Sequence, residues 1–529
     1  MAEGKLAVKS VGMVMVAGII SKVTGFFRET FIAAVFGASR VTDAYLVALT
    51  IPSMLFSGFQ NALQITVVPV FTEQRTKLGA KAAFAMVNSL INLTLLISLA
   101  VTSIGMIAVP WIVKILAPGF DPAMQTLSVN LARVMFPMIA GWSLTGIMSG
   151  ILNTYNKFTL PALAGVPYNI VIILFLALMG HRWGVMGLAW ATLVAVGGQV
   201  LFLMPGFFRL APKWLGVLDL KNPGLKKIMR MSVPVLAASL VSQTMAIVDR
   251  VLGSGLPEGS IAALTFAERV NALVLGMVAV SIATVMFPAL ARHVAEGELE
   301  IFKDKVGFGL NVVSFFVLPM AALLFTMAEP IIQVVFQRGA FDGRATEMTA
   351  LALRYYAIGL LAVAVRVFLE KVFYSLKDSF TPMVLASSSL CLNIGLSVLL
   401  VRFLNLGGLA LGTALAQIIY VTAALIILWQ RKLLNWQMLW QTWLRIIPGS
   451  AGLGLVLFGA VKWVRPLLSQ DFLGQVVFLS VAGAAGMLVY LPICLLFGAP
   501  EPSQLWQIIR GKGRVKTPQY PDDAGGQGG

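Results

Sequence analysis

The chain has 529 residues, 58% of them hydrophobic and only 12% charged, with a mean hydropathy of +0.88. An ordinary soluble chain carries about a quarter charged residues, so this composition excludes a soluble fold and requires apolar surface that faces lipid. The net charge of +17 comes from 39 Lys and Arg against 22 Asp and Glu, scattered between apolar runs; anionic membrane lipid is the natural partner, and nucleic acid is not.

The N-terminal run has Lys5 and Lys9 ahead of apolar residues and no small-residue cleavage site after them, so it reads as a retained first helix. In chain order, apolar spans are predicted at about 11–36, 42–72, 83–117, 125–153, 158–180 and 184–205. A second group follows at about 229–253, 258–292, 306–337, 346–374, 380–403, 407–430, 443–464 and 473–498. The fold class is therefore an all-α polytopic membrane protein of about 14 transmembrane helices. Cys391 and Cys494 lie inside apolar runs and cannot form a disulfide framework or a metal cluster. Residues 499–529 are polar and Gly-rich, a tail expected to be disordered.

Counting alternate loops as inside, with the N-terminus inside, gives about 23 Lys or Arg on that side and about seven on the other. The inside set includes Arg75, Lys77 and Lys81, the central loop from Arg209 to Arg230, Arg431 and Lys432, and the tail cations Arg510, Lys512, Arg514 and Lys516. Both termini are expected in the cytoplasm. The central loop mixes Lys213 and Trp214 with leucines, an interfacial amphipathic pattern.

The chain repeats itself. Gly119-Phe120-Asp121 recurs as Ala340-Phe341-Asp342 and Arg133 as Arg354, both displaced by 221 residues, as are Gly187-Leu188-Ala189 with Thr192 and Gly408-Leu409-Ala410 with Thr413. Asn169 matches Asn393 at a displacement of 224. Two copies with an even number of spans are parallel in topology. The implied organisation is an N-lobe at 1–221 including the central cytoplasmic loop, a C-lobe at 222–442, two extra helices at 443–498 and the tail at 499–529.

Several charges fall where lipid should be: Lys22, Arg28 and Glu29 in the first span, Asp43 opening the second, Asp249-Arg250 in the seventh and Glu268-Arg269 in the eighth. Each costs roughly 2.5 to 3.5 kcal/mol on a lipid-facing helix, so a cluster of them must line a wet or protein-walled interior. Lys22 and Arg28 are six residues apart, about 120° off a shared face, unless Gly25 loosens the register. Cations from both halves make a pocket for an anion such as a diphosphate, which the forked guanidinium suits. The plainer reading is that Glu29 and Asp43 pair with Arg28 and Lys22, and Asp249 with Arg250, to neutralise a packed interior. Arg133 and Arg354 read as holding loops, and Asn169, Asn393, Thr192 and Thr413 as packing bonds between helices. Asp249, if the seventh, eleventh and twelfth spans meet, could join Asn393 and Thr413 in a site for a monovalent cation or proton. His181 and His293 fall in loops too far apart to suggest a metal site.

No GxxxxGK[ST] loop is present, so transport must be driven by an ion, a proton or the membrane potential, without a cofactor. A membrane glycosyltransferase needs a base on a sizeable loop, whereas the longest loops are about 24 residues. The chain reads as a transporter and not as an enzyme. A drug exporter for cations favours an acidic cavity, and this one is predominantly basic.

The stretch from Ser21 to Leu55, LAPGFD at Leu116–Asp121 and the stretch from Leu264 to His293 together resemble the MurJ (MviN) family of lipid II flippases, within the multidrug/oligosaccharidyl-lipid/polysaccharide exporter superfamily. The resemblance runs along essentially the whole chain. It implies two six-helix lobes plus two helices forming a groove for the lipid tail, in the bacterial inner membrane. It further implies alternating-access transport of undecaprenyl-diphosphate-linked peptidoglycan precursor to the outer leaflet, for cell-wall biogenesis and cell shape, with cell-wall synthesis proteins as candidate partners. A flippase of another polyprenyl-diphosphate-linked saccharide is the alternative. The family's first-helix pattern falls on Lys22, Gly25, Arg28 and Glu29, its Thr-Asp-Ala on Thr42-Asp43-Ala44 and its acid–Arg pair on Glu268-Arg269. These imply Lys22, Arg28 and Arg269 as the headgroup-binding cations and Glu29, Asp43 and Glu268 as gating or charge-coupling groups. Where many relatives carry Arg after the proline of the second helix, Pro52 is followed by SMLFSGFQNA, with no cation. Either Gln60 or a basic residue from elsewhere substitutes, or the headgroup is held differently.

Overall fold

The computed structural model describes residues 2–210, 216–469 and 471–498. The amphipathic reading around Lys213 and Trp214 and the disordered reading of 499–529 fall outside the described residues. Among the described residues there is no strand. Nine described helices are long and apolar enough to cross a membrane, ten if one bent pair is a single span.

The first half of the chain forms α1 (Ala2–Phe36), α2 (Arg40–Leu116), α3 (Pro122–Met135), α4 (Met138–Thr154), α5 (Thr159–Leu163) and α6 (Gly165–Phe208). Then come α7 (Pro223–Gly253), α8 (Ser260–Met277), α9 (Ala279–Ala295), α10 (Leu299–Thr326) and α11 (Ala328–Phe336). The chain ends in α12 (Gly343–Ser375), α13 (Phe380–Leu404), α14 (Leu406–Gln430), α15 (Trp436–Gly459) and α16 (Phe472–Leu496). Two of these helices each hold two predicted spans: α2 is interrupted at Gly79 (φ 86°) and α6 at Gly184 (φ 58°), left-handed conformations that glycine adopts without a Cβ penalty. α3 and α4 bend by 41° at Phe136-Pro137. The duplicated Phe-Asp is a helix start in both copies: Asp121 accepts from the Met124 amide at 2.8 Å to cap α3, and Asp342 from the Ala345 amide at 2.8 Å to cap α12.

The described chain falls into two compact units. The first, Met1–Arg269 with Val335–Thr349 and Val398–Leu409, packs α2 against α3, α4 and α7, and α1 along α6. At one end of this unit four short segments come together, all from the predicted outside set. Ala340 N–H donates to the Ala34 carbonyl at 2.8 Å, Gly119 N–H to Ser254 Oγ at 3.1 Å, and Arg40 to both Asp121 and Glu258, at 3.0 Å in the latter case. The backbones approach so closely that a Cβ on Gly259 (φ 85°) would stand 2.0 Å from the Ala38 carbonyl oxygen. Segments of the predicted inside set meet at the other end, where Lys227 pairs with Glu73 at 2.5 Å, and Asn92 of the third predicted span donates to the Val217 carbonyl of the central loop at 2.8 Å.

The second unit holds Val270–Val334, Ala350–Ser397 and the chain from Ala410 onward. Its core lies where α10, α15 and α16 meet, with Phe315, Ile446, Leu453, Leu457 and Phe478 buried. Buried Tyr490 satisfies its hydroxyl on the Phe315 carbonyl at 2.7 Å. The opposite faces of α15 and α16 expose Leu455 and Leu488, both 73% accessible, as a lipid-facing surface requires.

Candidate functional site

The site is built on α1. This helix runs without a break through Gly25, so the register between Lys22 and Arg28 is not loosened there. Gly25 instead faces α6, where a Cβ on it would stand in ordinary contact 3.4 Å from Asn169 Nδ2. Asn169 then clasps α1: Nδ2 donates to the Ser21 carbonyl at 3.2 Å and to Thr24 Oγ1 at 3.1 Å, while Oδ1 accepts from Arg28 Nη1 at 3.1 Å. The packing role read for Asn169 thus extends to orienting Arg28, whose guanidinium also lies 5.3 Å from the centre of the Tyr168 ring.

Glu29 joins the cations. Its Oε1 accepts from Arg28 Nη2 at 2.5 Å and lies 3.5 Å from Arg269 Nε, so one buried carboxylate bridges α1 and α8 within the first unit. Glu29 is 6% exposed and Arg28 19%, whereas Arg269 is 50% exposed and can meet a ligand from the open side. Arg250 adds a third guanidinium close enough to act on Glu29 electrostatically, held by Thr50 Oγ1 at 3.3 Å and Thr265 Oγ1 at 3.1 Å. It brings a cation to α2 two residues before Pro52, beside the stretch that has none of its own. Lys22 stands exposed on α1, and no ion pair to it is found among the described residues.

Asp43 is not paired with Lys22. Its carboxylate is buried and accepts from the Gly259 and Ala262 amides, both at 2.7 Å, capping the start of α8. At the same end, Arg40 and the Met124 amide hold the exposed Asp121 carboxyl below its ordinary range. Glu268 is exposed beside Arg269. Asp249 Oδ1 is buried with no hydrogen-bond partner among the described residues, and Glu268 adds a negative charge near it. In the second unit Asn393 Nδ2 donates to Thr413 Oγ1 at 3.0 Å, and Asn393 Oδ1 is likewise buried with no hydrogen-bond partner among the described residues. Thr192 bonds Tyr45 Oη at 3.0 Å. Arg133 and Arg354 do not share a role: Arg133 donates to the Met106 carbonyl at 3.3 Å and Arg354 lies 3.9 Å from Glu329. His293 lies on α9, its Nδ1 2.7 Å from Glu298 Oε2.

Sequence reasoning passed over Tyr168, whose ring faces Arg28 only because α6 packs on α1. It also passed over Arg366 on α12, which donates to Glu370 at 2.9 Å and to Gln417 at 3.0 Å and lies over the Tyr420 ring. The signal was present, a charged pair at i,i+4 inside an apolar span.

Residues 32–482 match the family model described as "Lipid II flippase MurJ". The chain belongs to the lipid II flippase MurJ family. It is 31% identical to the lipid II flippase MurJ of Burkholderia cenocepacia over 92% of this chain and 95% of that one. It is 28% identical to a probable lipid II flippase MurJ of Rhizobium meliloti over 95% and 96%. Among solved structures, a lipid II flippase MurJ in an inward closed conformation superposes with a TM-score of 0.76 at 24% identity, over 94% of this chain and 99% of that one. An inward-facing multidrug resistance MATE transporter gives 0.63 at 16%, over 79% and 97%. The MurJ fold therefore extends over nearly the whole chain.

Proposed function

We propose that this protein carries lipid II, the undecaprenyl-diphosphate-linked precursor of peptidoglycan, from the cytoplasmic to the outer leaflet by alternating access. It acts as a transporter and performs no bond chemistry. The observation that carries the reading is the bridge Arg28–Glu29–Arg269, two guanidiniums from different helices held on one buried carboxylate. An incoming diphosphate competes with Glu29 for both forks, exchanging one carboxylate for a ligand with more acceptor oxygens. Lys22 supplies further positive charge on the same helix, and Arg250 does so from α7. When the headgroup leaves, Glu29 recaptures the pair, so the empty site is not left with unpaired buried cations. Asp43 acts as a gate through the start of α8. Glu268, beside Arg269, and Asp249, with its unpartnered buried oxygen, supply the charge through which a monovalent cation, a proton or the membrane potential drives the cycle.

The test depletes the protein in its host, supplies variants and measures precursor reached by an outside-acting probe. Arg28→Ala and Arg269→Ala are expected to leave precursor inside while the protein remains present and folded, and Arg28→Lys to restore part of the outside signal. Full complementation by both alanine variants sinks the cationic-site reading.

A further inference from the structure

Resting on that reading, we propose that Arg366 of α12 is the centre of a second anion site, which takes a carboxylate of the peptide borne by the peptidoglycan precursor. The site lies wholly within the second unit. Arg366 Nε donates to Glu370 Oε1 at 2.9 Å, one turn along the same helix, and Nη1 donates to Gln417 Oε1 of α14 at 3.0 Å. The guanidinium lies 4.7 Å from the centre of the buried Tyr420 ring. This is the constellation around Arg28, where Glu29, the side-chain oxygen of Asn169 and the Tyr168 ring stand in the same three roles. Duplication does not account for it, because the residue 221 positions after Arg28 is Asp249. The same chemical groups are therefore assembled twice, from unrelated positions.

Depth and exposure separate this group from a packing tie. Nine residues, about 14 Å of helix, lie between Arg366 and the end of α12 at Ser375, and Gln417 stands close to the middle of α14. In a hydrocarbon core about 30 Å thick the group is near mid-depth, where a charge on lipid is costly. Arg366 and Glu370 are nevertheless 28% and 29% exposed, and α12 is the most enclosed of the nine membrane-crossing helices described above. The open edge of the pair therefore meets a wet interior. Tyr374, one turn after Glu370, continues the stripe and is exposed, with Lys371 Nζ 5.9 Å from its ring centre. A diphosphate carries more than one charge and calls for several guanidiniums, which Arg28, Arg250 and Arg269 provide. A single guanidinium balanced by one carboxylate suits one carboxylate as ligand. The incoming carboxylate takes the fork from Glu370 and leaves that partly exposed side chain to water, while Tyr374 offers a ring face to the peptide.

The experiment measures binding of two synthetic ligands to the full-length protein in phospholipid vesicles: a prenyl-diphosphate-linked saccharide bearing its peptide, and the same molecule without the peptide. The parent protein is expected to bind the peptide-bearing ligand about tenfold more tightly, the worth of one charge-assisted hydrogen bond, and to lose that preference when the peptide carboxylates are amidated. Arg366→Ala should abolish the preference by weakening the peptide-bearing ligand alone, whereas Arg28→Ala should weaken both ligands by equal factors. Because Arg366→Ala leaves Glu370 without its partner, a double variant, Arg366→Met with Glu370→Met, removes both charges and is expected to show the same loss of preference in a folded protein. No preference in the parent protein, or one that survives amidation or both substitutions, overturns the second site while the Arg28 site stands. Equal weakening of both ligands by the double variant also overturns it, by making the pair a structural tie. Failure of the parent protein to bind either ligand removes both proposals.

Discussion

Arg28, Glu29 and Arg269 show how little a linear spacing says about a site and how much residue type says. A carboxylate between two guanidiniums is tolerable inside a membrane protein because each charge is paired. Breaking the set by removing one partner costs more than the set is worth. Asp43 follows a different logic. Its two oxygens take up two backbone donors at 2.7 Å where α8 begins, and those donors have no intrahelical partner. Asp43→Ala leaves both amides buried and unsatisfied at about 1 to 3 kcal/mol each, so its melting temperature is expected to fall clearly. Asp43→Asn keeps one acceptor but points an amide donor at the second N–H, and an intermediate loss is expected. Thermal denaturation in detergent checks the order, and equal stability of Asp43→Ala and the parent protein contradicts the capping role.

At the scale of the element, helices here start and stop where side chains or glycines take over backbone bonds. The turn between α12 and α13 is an example outside the membrane-spanning segments. Asp378 accepts from the Thr381 amide at 2.9 Å, from Thr381 Oγ1 at 2.6 Å and from Arg431 Nη1 at 2.7 Å. Partial burial opposes the charged carboxylate, but Thr381 and then Arg431 outweigh it and hold the group at about 2, below its ordinary 3.8. A depressed carboxyl contributes stability above its unfolded value and loses it as pH falls toward the folded one. The α12–α13 turn should therefore stay protected at neutral pH and loosen between about pH 4 and 2. Asp378→Asn should be loosened at every pH. Proteolysis of the turn by an acid-tolerant protease at stepped pH checks this, with equal cleavage of parent and variant at pH 6 as the contrary result.

For the molecule as a whole, charge asymmetry between loops predicts an orientation with both termini cytoplasmic. A cysteine at Arg182, in the loop after the fifth predicted span, should react with an impermeant thiol reagent added to intact cells. One at Glu300, at the start of α10, should react only after the membrane is opened. The reverse pattern refutes the orientation. The parent residues Cys391 and Cys494 do not interfere with the comparison if replaced by serine in both variants.

Much of this is legible in the sequence. Hydropathy dictated an all-helical membrane fold because no soluble core can absorb so much apolar side chain, and displaced copies such as Phe120-Asp121 and Phe341-Asp342 survive because each caps a helix. Intramembrane charges marked the site because they are too costly to keep on lipid. The resemblance pointed to the family that the match over residues 32–482 then established. Tertiary structure alone decided which charges meet. Asp43 turned to the backbone of α8 rather than to Lys22, Asn169 and Tyr168 came to Arg28 across 140 or more positions, and Arg250 reached α2 from α7. Pairing depends on distance and direction across packed helices. A sequence fixes the composition and periodicity of each helix, whereas the partner of a buried charge is chosen only when two helices close on each other.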